Sequence, residues 1–394
     1  MRLAAKIMRK ESSVVTIQSG PRVLLSGHFF EPTGYGTAAR AYVHAFAQAG
    51  IGLLLQNRTP SLLRPVNDTF VGEILNQTVE PEFFISHAEP CDLLAGERPL
   101  NEVIALTTFE TETLPEDCVR SLNRVREVWV PSAFNAEAFR RQLNVPVFRL
   151  PHAINVASGE QTDQEEIHQC CGLEASDFVF LTTATWQERK NLAGTIEAFL
   201  RAFPDDPGVK LVLKTTFYFV NLPAALAQIR RRIEQLNLPG GGAQAFERVR
   251  IVDLEWRPAQ MEALLQRANC YVSLHRGEGW CYPLFDAACA GMPVVATGYS
   301  GPMDYLTPES HHLVNYALVP IDRGDDPPSF PFTPQLQWAQ PDTLHAAEQM
   351  RAVYENYGQA CQRAEAAGTR LRQEYSFEAV GRMARERLKA LREG

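Results

Sequence analysis

The sequence contains no uninterrupted apolar run of the roughly 18 residues that a membrane span requires, and its amino terminus has no apolar signal-peptide core. A chain that spans a membrane or is exported is therefore not expected, and the localisation expected is cytoplasmic. The eight cysteines form no Cys-x-x-Cys pair, and even Cys170 and Cys171 are simply adjacent. Neither a zinc site nor a disulfide framework is indicated, so buried reduced thiols are expected. Positive charge is also in short supply: 38 Lys and Arg against 46 Asp and Glu leave a net charge of -8. That balance argues against a nucleic-acid partner, which demands broad contact with phosphates. Any anionic ligand must be met by a few local cations.

What is present is an ordinary globular composition, 45% hydrophobic and 21% charged, enough to bury a sizeable core. A chain of 394 residues exceeds what one core organises, which predicts two large domains. Short apolar runs alternate with helical patterns. Arg22 to Ser26 reads as a strand; Gly34-Tyr35-Gly36-Thr37 follows, then a helix from Ala38 to Ala49 and a strand at Leu53 to Leu55. Further strands are read at Glu82 to Ser86, Val103 to Leu106 and Val128 to Val130. After the polar, acidic stretch from Ser158 to Gln169 the rhythm restarts at Phe178 and continues to Thr297. Repeated βα units predict parallel sheets. The proline-rich segment from Ile321 to Pro341 reads as an irregular surface excursion, and a last helix from Phe377 to Leu391 sets Val380, Met383, Ala384 and Leu388 at helical spacing. The amino-terminal residues Met1 to Lys10 mix Arg2, Lys6, Arg9 and Lys10 with Leu3, Ile7 and Met8. A solvated tail is expected there, with peripheral contact to the inner face of a membrane as the alternative.

Open α/β sheets bind ligands outside the carboxyl ends of their strands, and the chemistry-bearing residues sit at such ends. Arg189 and Lys190 lie where a helix starts, adding two cations to its positive dipole end, a setting that suits a diphosphate. Glu278, between Gly277 and Gly279, is placed to accept hydrogen bonds from sugar hydroxyls, and Asp286 follows eight positions later. Gly298-Tyr299-Ser300-Gly301 adds a phosphate-compatible turn after the next strand, and His87 stands where another strand ends. Gly34 and Gly36 mark a turn that either faces a ligand or is simply tight.

The run from Glu278 to Thr297, with Trp280, Pro283, Asp286 and Gly291 in it, resembles the Glu-x7-Glu signature of family 4 glycosyltransferases. Arg189-Lys190-Asn191 is similar to that family's donor-diphosphate motif, and Pro151-His152-Ala153-Ile154-Asn155 to its interdomain junction. The resemblance implies the GT-B architecture, α/β, with two Rossmann-like domains facing across a cleft. It divides the chain into an acceptor-side domain at 1–157, a nucleotide-sugar domain at 158–374 and a helix at 375–394 crossing back.

The activity it implies is retaining, metal-independent sugar transfer, with no cofactor beyond a nucleotide diphosphate sugar as co-substrate. Glu278, Arg189, Lys190 and His87 would be catalytic; Asp286, Gly279, Trp280, Gly301, Gly34 and Gly36 would bind the donor. The partners implied are a nucleotide-sugar donor and a glycan or glycolipid acceptor, in bacterial surface polysaccharide assembly. Two departures stand out: Asp286 is one methylene shorter than the family's glutamate, and Thr185 replaces an arginine, with Lys214 as a candidate substitute. An altered signature keeps open a second reading, a catalytically silent nucleotide-sugar-binding or scaffold protein.

Overall fold

The computed structural model describes residues 20–58, 65–75, 80–93, 98–155, 160, 162–216, 222–235, 246–324, 326 and 330–393. The Met1 to Lys10 segment and the glycine run at 240–242 lie outside the described residues.

Strands with near-continuous apolar runs need cover on both faces, and the protein supplies it with helices on two six-stranded sheets. The first sheet contains β1 (Arg22–Gly27), β2 (Gly52–Asn57), β3 (Phe83–His87), β4 (Val103–Leu106), β5 (Glu127–Val130) and β6 (Val147–Arg149), in the order β2-β1-β3-β4-β5-β6. The second contains β7 (Phe178–Thr185), β8 (Val209–Thr216), β9 (Val249–Val252), β10 (Cys270–Ser273), β11 (Val294–Thr297) and β12 (His312–Val314), in the order β12-β11-β10-β7-β8-β9. All pairings within both sheets are parallel.

Twelve α-helices are found among the described residues. They are α1 (Gly34–Gln48), α2 (Thr69–Leu75), α3 (Glu116–Leu122), α4 (Ala133–Arg140), α5 (Gln164–Cys171), α6 (Leu192–Ala202), α7 (Leu222–Gln235), α8 (Pro258–Arg267), α9 (Tyr282–Cys289), α10 (Thr343–Glu355), α11 (Tyr357–Glu374) and α12 (Phe377–Glu393).

The halves meet where the chain leaves β6. There Tyr282 donates its hydroxyl to Ala153 O at 3.1 Å, and the Ile154 amide donates to Tyr375 O at 2.9 Å. The last helix, α12, crosses back onto α1 of the first half. Gly381 makes that crossing close, because a Cβ there would collide with Ala45 O. Arg387 then forks onto the buried Glu127 of β5, with Nε at 2.8 Å from one oxygen and Nη2 at 2.5 Å from the other.

Two expectations are corrected. The 321–341 segment is not a surface excursion: β13 (Tyr316–Pro320) pairs antiparallel with β14 (Gln337–Pro341), and Ile321, Phe332, Leu336 and Trp338 are buried. They join Phe109, Leu114, Val128 and Phe139 of the first half in one core, so the segment straps the two halves together. Its apolar residues follow neither a period of 2 nor one of 3.6, which is why no element was legible. Nor are all thiols reduced, since Cys91 and Cys118 form a disulfide with Cα atoms 4.8 Å apart. The two are 27 residues apart in sequence and meet only because β3 and β4 are neighbours.

Candidate functional site

In a doubly wound sheet the ligand crevice opens where the strand order reverses. In the second sheet that point lies between β7 and β10, and in the first between β1 and β3. The loops leaving β7 and β10 carry Arg189-Lys190 and Glu278; those leaving β1 and β3 lead to Gly34 and from His87.

After β7 the backbone makes a single 3-10 turn, Glu188–Lys190, and Asn191 takes a left-handed φ of 51°. Asn tolerates that conformation, and here it also caps α6. Its side chain accepts from the Gly194 amide at 3.3 Å and donates to Leu274 O at 3.0 Å. The turn is thereby bound to the end of β10, with Arg189 and Lys190 facing Glu278. Arg189 Nη1 lies 3.0 Å from Glu278 Oε2, and Lys190 Nζ 2.5 Å from Glu278 Oε1. Arg189 also donates to Gly277 O at 2.7 Å.

Glu278 is 4% exposed, yet burial does not keep it protonated: Arg189 and Lys190 together outweigh desolvation and hold its carboxyl at about 2. Its amide donates to Ser300 Oγ and its carbonyl accepts from the Gly301 amide, each at 2.9 Å. His275 is fixed behind it, Nδ1 at 3.0 Å from Ser273 Oγ and Nε2 at 3.1 Å from Tyr299 O.

The glycines explain how closely backbone segments approach. A Cβ on Gly301 would collide with Gly279 O, and one on Gly279 would stand 2.8 Å from Thr108 Cβ on the first half. Gly36 has the same kind of reason, since a Cβ there would overlap Glu31 O, whereas Gly34 faces open space. Both lie inside α1 rather than before it, with Thr33 as the cap accepting from the Gly36 amide. Asn191, Cys281 and Ser300 are the three non-glycine residues with positive φ among the described residues, and all three flank this site.

Other expected residues are placed nearby or elsewhere. His87 is buried at the end of β3, its ring centroid 5.2 Å from that of Tyr35 and 5.7 Å from that of Tyr42. Burial, with the charges of His28 and Arg58, lowers its imidazole to about 3, so it is neutral at pH 7. Its Nδ1 has no hydrogen-bond partner among the described residues. Asp286 accepts from Asn155 Nδ2 of the junction at 3.2 Å, and burial pushes its carboxyl up to about 7. The ring of Trp280 lies instead in the junction's aromatic cluster with Phe285, Tyr305 and Tyr375. Lys214, the suggested substitute for the missing arginine, stands over the ring of Trp256 at 5.8 Å, near Asp253.

Sequence reasoning missed the residues that reach across the cleft. Glu110, from the loop after β4, pairs with Arg189 Nη2 at 3.3 Å, and burial with the charge of Glu278 raises its carboxyl despite that arginine. Asp304 accepts from the Ala133 amide at the start of α4, at 3.0 Å from each oxygen, and pairs with Arg149 at 2.8 Å. Phe332 of the strap lies under Arg189 at 5.9 Å, and Asp326 accepts from the Glu188 amide at 3.1 Å. Glu110 was within reach of the sequence, two residues beyond the strand-ending Thr107-Thr108. Asp304 and Phe332 carried no local signal.

Residues 163–317 match the family described as glycosyl transferases group 1. Among solved structures, sucrose-phosphate synthase from Thermosynechococcus elongatus is 15% identical over 95% of this chain and 100% of that one, with a TM-score of 0.64. HepE from Anabaena, solved with UDP and glucose, is 14% identical over 94% of this chain and 100% of that one, with a TM-score of 0.62. An alpha,alpha-trehalose 6-phosphate synthase from Burkholderia multivorans is 12% identical over 95% and 99%, also with a TM-score of 0.62. No curated protein matches the sequence. The architecture shared with these structures is GT-B.

Proposed function

We propose that this protein is a retaining glycosyltransferase that moves a sugar from a nucleotide diphosphate donor to a glycan or glycolipid acceptor, in the cytoplasm and in the service of surface polysaccharide assembly. The observation that carries the reading is the Arg189–Glu278–Lys190 cluster at the switch point of the second sheet. Two cations at a crevice of this kind suit a diphosphate, and charge grows on that group as the sugar leaves. Glu278 then turns to the hydroxyls of the transferred sugar, and the neutral His87 faces it from the first half as an uncharged hydrogen-bonding group. Arg189 and Lys190 supply the positive charge themselves, which is the basis for reading the reaction as metal-independent. Because HepE is solved with UDP and with UDP-glucose, a uridine nucleotide is the first donor to try.

A thermal-shift screen of UDP, GDP and ADP sugars tests this: one donor class is expected to raise the melting temperature, and the Arg189→Ala variant to lose that response. A panel in which no nucleotide sugar stabilises the protein would sink the proposal. The engagement of Asp286 with Asn155 favours a second reading, a silent nucleotide-sugar binder. Donor binding without transfer to any glycan or glycolipid acceptor would decide for it.

A further inference from the structure

On the second half, the segment entering β12 packs beside α11, and several buried nitrogens there have no partner among the described residues. His311 is 2% exposed, and neither of its ring nitrogens has a hydrogen-bond partner among the described residues. Arg363 of α11 donates through Nη2 to His312 Nε2 at 2.9 Å, and His312 Nδ1 lies 2.8 Å from Gln349 Oε1. His312 is therefore neutral, with its proton on Nδ1. The Nε of Arg363 is left buried with no partner among the described residues. Arg370, two helical turns further along the same face of α11, is exposed and adds a second guanidinium. Arg363 and Arg370 line a groove of about 320 Å³ with Glu309, Ser310, Ala366 and Ala367.

Folded proteins leave few buried polar groups unpaired, and each costs about 1–3 kcal/mol. A neutral imidazole carries one N–H, so His311 and Arg363 each present one buried donor without a partner among the described residues, and the guanidinium of Arg370 adds to them. The free groups are Arg363 Nε–H, an imidazole N–H and the guanidinium of Arg370, and an anionic ligand rich in acceptors suits them together. A cation would be repelled, and an apolar group would leave the same hydrogen bonds unmade. Arginine forks match phosphate oxygens in particular. We propose that His311, Arg363 and Arg370 form a phosphate-binding site distinct from the diphosphate cations of the cleft. Burial and the charges of Arg363 and Arg370 keep the His311 imidazole down at about 4. A bound dianion opposes those charges, so His311 gains proton affinity as the ligand enters.

The probes are inorganic phosphate and a phosphomonoester, glycerol 3-phosphate, each compared with sodium chloride at equal ionic strength. Phosphate is expected to raise the melting temperature of the wild type and of an R189A/K190A variant alike, which keeps this site separable from the donor site. Arg370→Gln should weaken phosphate binding about tenfold, the scale of one charge-assisted hydrogen bond. Arg370 is exposed, so that variant reports on the site even if Arg363→Gln fails to fold. In proton NMR the His311 resonances should titrate at higher pH with phosphate present, a change that a purely structural histidine would not show. Tighter binding of the ester identifies an esterified phosphate as the ligand, equal binding identifies the free ion, and either sustains the site. A response that chloride reproduces, one that vanishes in R189A/K190A while persisting in Arg370→Gln, or no response at all overturns it.

Discussion

Replacing Glu278 by glutamine keeps the shape of the side chain and removes its charge. The carboxyl is held at about 2 against its ordinary 4.5, which corresponds to about 3 kcal/mol of native-state stability at neutral pH. Glu278→Gln should therefore lower the urea-unfolding free energy by about that amount at pH 7, since it leaves two cations beside each other without their carboxylate. The sign with pH follows from the depressed value: the stabilisation is whole above pH 4.5 and fades as pH falls towards 2. The gap between wild type and variant should thus be smaller at pH 3 than at pH 7. Ligand binding should move the other way. Freed of their internal partner, Arg189 and Lys190 should bind UDP at least as tightly by calorimetry, while sugar transfer falls about a hundredfold or more. If UDP affinity drops as far as it does in Arg189→Ala, Glu278 organises the phosphate site rather than occupying it, and the reasoning fails. Unchanged transfer would refute the catalytic role directly.

Gly279→Ala sets a methyl group against Thr108 across the cleft; transfer should be lost and the radius of gyration in small-angle scattering should increase. Asp286 carries a carboxyl raised to about 7 by burial, so its contribution to stability declines as pH rises from about 4 through 7. Asp286→Asn should accordingly flatten the dependence of melting temperature on pH over that window and leave the variant the more stable protein at pH 8. Reducing the Cys91–Cys118 disulfide, or the Cys91→Ser substitution, opens a loop of 27 residues and should cost about 3–4 kcal/mol in chemical denaturation.

Much of this fold was legible because parallel strands buried on both faces leave plain apolar runs, as Val103 to Leu106 and Val294 to Thr297 do. The second half of the site was legible for a related reason: Arg189, Lys190 and Glu278 each sit in a short loop at a strand's carboxyl end, so local order predicts spatial order. The first half's contribution was harder to see. Glu110 and Thr108 matter because the opposite half closes on them, and that closure depends on junction geometry with no local spacing to betray it. The start of α1 was read four residues late because Gly34 and Gly36 looked like a loop, whereas Thr33 caps them into the helix. Trp280 illustrates the converse, an aromatic beside a glutamate whose ring fills the junction core.

The strap carries a consequence for how the molecule comes apart. Phe332, Leu336 and Trp338 are covered by Phe109, Leu114 and Phe139 of the other half, and α12, which follows α11 of the second half, packs on α1 and β5 of the first. Neither sheet can lose its tertiary packing without exposing aromatic surface on its neighbour. Heating should therefore melt both halves as one cooperative unit in a single calorimetric transition, and severing the chain within the strap should split that transition in two.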